Sequence, residues 1–182
     1  MSAPTTEIPG YIAGTWAIDP VHSEVSFVTR HLGVSKVRGR FTEFEGQIVT
    51  GEDITGSSVT ATIQASSLHT KNEQRDAHVK GEEFLDVERF PTLSFRSTGI
   101  RAEGERYVID GELTLHGVTK PVSLQAELGG FGDGMTEGSK VLGVEATTEI
   151  SRSDFEVGTQ FPTAVVSDKV TIQLEIEALL QS

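Results

Sequence analysis

The run Val170-Thr171-Ile172-Gln173-Leu174-Glu175-Ile176-Glu177-Ala178 decides the fold class. Apolar and polar residues alternate strictly along it, so an extended strand here has one dry face and one wet face. The same alternation recurs in five earlier runs: 24–28, 59–65, 93–96, 107–115 and 122–128. Glycine-rich segments such as 129–134 are expected as turns between such runs. The pattern predicts an all-β protein built from antiparallel sheet.

Each of these strands has one apolar face that must be buried. About eight such strands can bury these faces in two closed architectures. One is a sandwich of two sheets, and the other is an up-and-down barrel. The stretch 72–85 departs from the alternation, because Asn72 is suited to cap a helix and Gly81 to end one. We therefore expect one short helical segment near residues 72–85. Residues 1–14 are predicted to be a loose tail and residues 15–182 a single domain.

Composition excludes several classes of function. The chain has 182 residues, with 15 Lys and Arg against 27 Asp and Glu, which gives a formal net charge of −12. Such a charge repels phosphate backbones and anionic headgroups, so it argues against nucleic-acid binding and polybasic membrane docking. The absence of cysteine excludes disulfides, thiolate nucleophiles and cysteine-ligated metals. No apolar run approaches the roughly 20 residues that span a bilayer, so no stable membrane insertion is expected.

The N-terminal residues predict a cytoplasmic location. They contain neither a basic region nor an apolar stretch of the kind that forms a secretory signal. A chain from which a signal had been removed would read the same, and would then be periplasmic or secreted.

Enzyme and metal motifs are missing from the sequence. The five histidines lack the short spacings of metal-binding helices, and neither a Gly-x-Ser-x-Gly elbow nor a phosphate-binding Gly-x-x-x-x-Gly-Lys loop occurs. His22 and Ser23 are adjacent on a strand and point to opposite faces, which makes them poor partners for proton transfer. We expect no metal, no cofactor and no catalysis. An enzyme acting on a small apolar substrate is the lesser alternative, beside a packed-core interaction or stress-response protein.

Four motifs are specific in combination, through their order and spacing along the chain. They are Asp19-Pro20-Val21-His22-Ser23, Phe90-Pro91-Thr92-Leu93-Ser94-Phe95, Gly111-Glu112-Leu113-Thr114-Leu115-His116-Gly117, and Ser151-Arg152-Ser153-Asp154-Phe155. Together they resemble the YceI-like family, the polyisoprenoid-binding, lipocalin-like proteins of bacteria. The resemblance implies an antiparallel eight-stranded lipocalin-like barrel with a long apolar pore. It also implies a homodimer and a bound polyisoprenoid or quinone-like lipid, held without catalysis for transport, storage or sequestration.

Aromatic rings suit the wall of such a pore, because they cover apolar area with little rotamer entropy to lose. Eight phenylalanines are the candidates to line it: Phe27, Phe41, Phe44, Phe84, Phe90, Phe95, Phe155 and Phe161. The alternative for each is a place in the ordinary barrel core.

Six polar residues are candidates for head-group contacts: His22, His31, Arg38, Arg40, Arg75 and His78. Arg38 and Arg40 flank Gly39, and their planar guanidinium groups suit a phosphate. Arg75 and His78 share one face of the predicted helix.

Each of these residues also has a simpler structural interpretation. His22 can form a local hydrogen-bonded corner with Asp19 and Ser23, whereas His31 and the arginines near Gly39 can be solvated strand-end or edge charges. The polar face of the predicted helix can be exposed to solvent without contacting a ligand. Arg152 and Asp154 are expected to form an ion pair.

Overall fold

The computed structural model describes residues 8–181. Eleven strands and one α-helix follow each other within that range: β1 Gly14–Ile18, β2 Glu24–His31, β3 Ser35–Phe41, β4 Phe44–Thr50, β5 Ser58–Gln64, β6 Leu68–His69, α1 Glu73–Lys80, β7 Thr92–Glu103, β8 Arg106–Leu115, β9 Val118–Asp133, β10 Lys140–Ser151 and β11 Lys169–Gln181. Short 3-10 turns lie at Ile54–Gly56, Ala65–Ser67 and Arg152–Phe155.

Eight strands close into an antiparallel barrel, as predicted. Their order is β1-β4-β5-β7-β8-β9-β10-β11, and β11 returns to pair with β1 through Trp16 opposite Leu180. Strands β2, β3 and β6 extend the barrel wall, because β2 pairs with β11 beyond the end of β1. Closure removes the exposed edges that a sandwich would keep.

The alternation along β11 explains its place in the barrel. Ile172, Leu174 and Ile176 face the interior, while Gln173 and Glu175 between them face solvent. Ala178 is fully buried and sits in one apolar cluster with Trp16, whose indole N–H donates to the Thr50 hydroxyl at 2.9 Å. The buried side chains form three separate clusters around the barrel interior.

Helix α1 confirms the predicted helical segment, although it is shorter than the stretch 72–85. The Asn72 side chain accepts a hydrogen bond from the backbone N–H of Arg75 at 2.9 Å, and Gly81 ends the helix. Turns follow α1 and bring Phe84 and Leu85 into the largest apolar cluster. Helix α1 and these turns cover one end of the barrel, which is called the helix end below.

The glycine-rich segment 129–134 is not the turn that its composition predicts. Strand β9 continues to Asp133, and the chain reverses only between Gly134 and Ser139. A bulge opposite Gly143 lets the strand pass through this segment, with Gly130 at a φ of 130° that favours glycine. Its partner β10 was not among the alternating runs, because Gly143 and two adjacent threonines blur its pattern.

Tyr11, which precedes β1, contacts the barrel. The Tyr11 hydroxyl donates to the Gly51 carbonyl at 2.6 Å, and its ring packs edge-on against Phe131 at 5.1 Å. The remainder of the predicted tail, residues 1–7, lies outside the described residues. None of the helices in residues 8–181 has the length and hydrophobicity that a transmembrane helix requires.

Candidate functional site

A cavity of about 500 Å³ occupies the barrel interior. Inward side chains of all eight barrel strands line it, and most of them are Val, Ile, Leu and Phe. Close-packed protein interiors leave few voids larger than a water molecule, whereas ligand pockets have volumes of roughly 300–1,000 Å³. The barrel is therefore hollow, in contrast to the packed core of the interaction-protein alternative.

Small inward residues create this space. Gly39, Gly46 and Gly111 take inward positions in their strands, and phenylalanine rings lie over Gly39 and Gly111. A Cβ atom on Gly111 would stand 2.4 Å from Cζ of Phe95, its diagonal neighbour on β7. The aromatic rings therefore rest against the barrel wall and leave the centre open.

Six of the eight predicted phenylalanines line the cavity: Phe27, Phe41, Phe44, Phe84, Phe95 and Phe161. The other two lie outside the lining. Phe155 ends the last 3-10 turn, is 1% exposed and packs in the largest apolar cluster. Phe90 packs against the His116 ring at 4.7 Å, with Arg89 over its face. Phe131 lines the cavity without having been predicted, because its segment was interpreted as a turn.

An aromatic cluster closes part of the cavity at the helix end. Phe84 and Phe161 stack with their centroids 4.7 Å apart and their planes at 17°. The His78 ring meets both of them edge-on, at 5.2 and 5.3 Å. Its Nε2 lies 2.7 Å from the Glu83 carboxylate, and the side chains of this pair are about half exposed. The lining therefore reaches the protein surface beside His78.

Arg75 is held in place at the same end. Its Nε donates to the Thr70 hydroxyl at 2.8 Å, and its Nη2 donates to the Thr70 carbonyl at 2.7 Å. The Thr70 hydroxyl donates in turn to the buried Asp76 carboxylate. Burial alone would raise the pKa of Asp76, but hydrogen bonds from Thr70 and the charges of His69 and Lys80 lower it. The ionised Asp76 thus orients Arg75 through Thr70, and the Nη1 of Arg75 makes no hydrogen bond within the described chain.

His31 also lines the helix end of the cavity. It takes the next inward position on β2 after Phe27 and Thr29, and it bridges to Val166 on the segment that follows β10. The predicted head-group residues His31, Arg75 and His78 therefore lie together around this end of the cavity.

Arg152 was expected to pair with Asp154, but it is buried and binds backbone carbonyls. Its guanidinium donates five hydrogen bonds, at 2.6 to 3.2 Å, to the carbonyls of Val157, Gly158, Phe161, Val166 and Ser167. It thereby shapes the segment 157–167, which carries several residues of the cavity lining. Sequence spacing could not predict this, because all five partners are carbonyls.

His22 is not part of the cavity lining. Its Nδ1 lies 2.7 Å from an oxygen of Asp19 and 3.6 Å from an oxygen of Glu177. The hydrogen bond to Asp19 and the two nearby carboxylates raise the pKa of His22, and the same hydrogen bond lowers the pKa of Asp19. The ligand atoms of all three residues lie within 4.8 Å of one another, a spacing that a metal ion can bridge.

Arg38 and Arg40 also lie outside the cavity, on the outer face of β3. They border a surface depression of about 240 Å³ together with His69 and Lys71. Arg40 has Glu24 as its ion-pair partner at 3.6 Å. Of the six polar residues predicted to contact a head group, His22, Arg38 and Arg40 are thus separated from the cavity.

The barrel, the placement of α1 and the motifs point to one family, and the YceI-like domain model matches residues 16–178. The chain belongs to the YceI-like family. Protein YceI of Salmonella arizonae is 38% identical over 173 residues, which cover 93% of this chain and 89% of that relative.

Solved YceI-like structures share the fold. The Campylobacter jejuni YCEI protein superposes with a TM-score of 0.76 at 29% identity, over 84% of this chain and 90% of that one. A polyisoprenoid-binding domain from Saccharophagus degradans, implicated in plant cell wall breakdown, gives a TM-score of 0.70 over 93% of this chain and 100% of that one. At 16% identity, this second likeness shows the fold alone.

Proposed function

We propose that this protein binds an isoprenoid or a similar long-chain amphiphile inside the barrel, without covalent chemistry, for transport, storage or sequestration. The cavity of about 500 Å³ with an almost wholly apolar wall carries the proposal. The Saccharophagus degradans protein that shares this fold is a polyisoprenoid-binding domain, which supports a ligand of this class.

Transfer of an apolar chain into this cavity supplies the binding energy. Each buried methylene contributes ~0.8 kcal/mol, so about ten of them contribute roughly 8 kcal/mol before the chain is ordered. A linear or isoprenoid tail fits this account, because the lining residues extend from Phe161 at the helix end to Phe131 near the opposite end.

The polar head of the ligand is proposed to lie at the helix end. Arg75 and His31 border the cavity there, and Arg75 is preoriented by Thr70 and Asp76. A preoriented guanidinium binds phosphate or carbonyl oxygens without the entropic cost of ordering a free side chain. The apolar middle of the barrel, formed by residues such as Ile109 and Leu124, is left for the tail.

Uptake of a defined probe by cavity-filling variants tests the proposal. Ala146 lines the cavity opposite Ala126, and Ala146→Phe would fill the lumen there without removing any lining group. Ala102 is exposed on β7, so Ala102→Phe is the matched control. We expect Ala146→Phe to bind at least tenfold less ubiquinone-2 from detergent, while Ala102→Phe binds as the wild type does. Equal uptake by both folded variants would contradict binding in the lumen.

A further inference from the structure

The basic residues of this acidic protein concentrate on one face. Between residues 25 and 42 the chain has no Asp or Glu, although it has 27 in total. Arg30, Lys36, Arg38 and Arg40 lie in this stretch, which forms the β2–β3 hairpin. Lys71 joins them, because it borders the same surface depression as Arg38 and Arg40. Five of the 15 basic residues thus share one local surface, called the basic hairpin face below.

Strand register places these charges side by side. Arg30 lies opposite Lys36. Like charges directly opposite each other destabilise a sheet, so this arrangement does not serve the stability of the fold. Arg30, Lys36 and Arg38 have no ion-pair partner in the described part of the chain. Arg40 is paired with Glu24 at 3.6 Å, so the uncompensated positive charge that the hairpin presents to solvent comes from the other three.

The tip of the same hairpin is apolar. Leu32 is 56% exposed and Val34 is 81% exposed, on either side of Gly33. The other large exposed hydrophobic residues of residues 8–181 are scattered through the sequence. The Leu32 N–H donates to the Val165 carbonyl at 2.9 Å, and Val165 lines the cavity. The tip thus stands at the helix end of the cavity.

We propose that the basic hairpin face and its tip dock on the surface of an anionic lipid bilayer. Lysine and arginine on the face bind the phosphate headgroups, while Leu32 and Val34 enter the interface between headgroups and acyl chains. The net charge of −12 does not prevent this docking, because salt screens charges that lie more than roughly 8 Å from the membrane surface. The charges of the basic hairpin face therefore dominate the local interaction with the headgroups. Docking there brings the helix end of the cavity close to a membrane that can supply or receive a lipid.

The remaining charges at the helix end define the orientation. Glu82, Glu83 and Asp154 lie on the segments that follow α1 and β10, not on the hairpin. An end-on approach would press these carboxylates against anionic headgroups. The contact is therefore made by the side of the barrel that carries the basic hairpin face, with the tip inserted.

Co-sedimentation with vesicles tests the docking surface. The vesicles consist of phosphatidylcholine alone or of phosphatidylcholine with phosphatidylglycerol, at low and at physiological ionic strength. The test variant combines Lys36→Gln, Arg38→Gln and Lys71→Gln. The control combines Arg96→Gln, Arg106→Gln and Lys120→Gln, which remove the same charge from β7, β8 and β9.

We expect the wild type to bind only the anionic vesicles, and more weakly as salt rises. The test variant is expected to bind at least about tenfold more weakly, since each basic residue near an anionic surface strengthens binding several-fold. The control variant should bind as the wild type does. A wild type that ignores anionic vesicles, or an equal loss in both variants, would overturn the proposal.

The tip has its own variant. Leu32 has a φ of 55°, which asparagine tolerates, so Leu32→Asn combined with Val34→Thr removes apolar surface without straining the turn. We expect this variant to lose the binding that persists at high salt, and unchanged binding would contradict insertion of the tip. Ubiquinone-2 uptake from detergent, measured on the same proteins, separates this proposal from the proposed function. If the wild type takes up no lipid yet docks as described, only the carrier function fails.

Discussion

The ring of Phe27 lies across Gly39 on the neighbouring strand. These two residues are cross-strand partners in the β2–β3 pair, and a Cβ atom on Gly39 would stand only 2.3 Å from Cζ of Phe27. Phe27 borders the cavity on its other side. The missing side chain at position 39 therefore lets the ring lie back against the wall and keeps the lumen wide.

Gly39→Ala should narrow the cavity, because the added methyl group forces the Phe27 ring towards the lumen. We expect weaker uptake of bulky lipids and only a small drop in Tm, measured by lipid binding and thermal unfolding. Gly99→Ala is the matched control, since a Cβ atom there meets nothing within 4 Å. Adding Phe27→Leu to Gly39→Ala should restore uptake. Full uptake by Gly39→Ala alone would contradict this role of the pair.

Phe95→Glu should abolish lipid uptake in a protein that still folds. The carboxyl group would lie in the apolar lining, where an unpaired polar group costs about 2 kcal/mol or more. Phe95→Leu keeps the lining apolar and is expected to retain most of the uptake. Circular dichroism verifies the fold, and a folded Phe95→Glu that binds lipid normally would show that Phe95 does not contact the ligand.

Arg152→Lys should destabilise the protein by about 2–4 kcal/mol, although the charge is kept. An ammonium group has three donors and cannot match the five hydrogen bonds of the buried guanidinium, so carbonyls are left unsatisfied. Urea unfolding measures the change. Arg89→Lys, at an exposed position, should change stability by less than about 0.5 kcal/mol. Similar losses at both sites would argue against the structural role of Arg152.

The hydrogen bond between His22 and Asp19 should make the stability of the protein depend on pH. Folding raises the pKa of His22, so the protonated form of His22 stabilises the folded state. This stabilisation is complete below the ordinary pKa of about 6.5 and is lost as pH rises through the raised pKa of the folded state. Folding lowers the pKa of Asp19, so the ionised carboxylate of Asp19 also stabilises the folded state. This contribution is complete above the ordinary pKa of about 3.9 and is lost as pH falls through the lowered pKa of the folded state.

His22→Gln should therefore lower Tm more at pH values between these limits than in mildly alkaline buffer. Thermal unfolding of both proteins across that range measures the difference. A Tm gap that stays constant with pH would show that the charge of His22 does not contribute.

The barrel could be predicted from sequence because its strands alternate so clearly. One face of β11 is apolar from Val170 to Ala178, and such a run has few ways to bury that face. Asn72 and Gly81 marked the helix for an equally local reason, since a cap and a stop act within a few residues. The run 129–134 misled because glycine composition suggests a turn, whereas here glycine permits a bulge inside a long strand.

The candidate site was less predictable, because it depends on contacts between distant segments. His31 and Arg38 lie on one hairpin, yet one faces the cavity and the other faces solvent. Side chains alternate between the two faces of a strand, so a shift of one residue decides whether a side chain faces the cavity or solvent. The charge pattern alone does not reveal which face each residue takes. The partners of Arg152 are backbone carbonyls, which leave no trace in the sequence of residue types.

Native mass spectrometry of the freshly purified protein, followed by organic extraction, tests the central claim most directly. We expect a species heavier than the 19.6 kDa chain, whose extra mass extracts as an isoprenoid or another long-chain amphiphile. The same spectra report whether the protein is the predicted homodimer. A spectrum with the mass of the chain alone, together with no uptake of added polyprenyl lipids or quinones, would contradict the account.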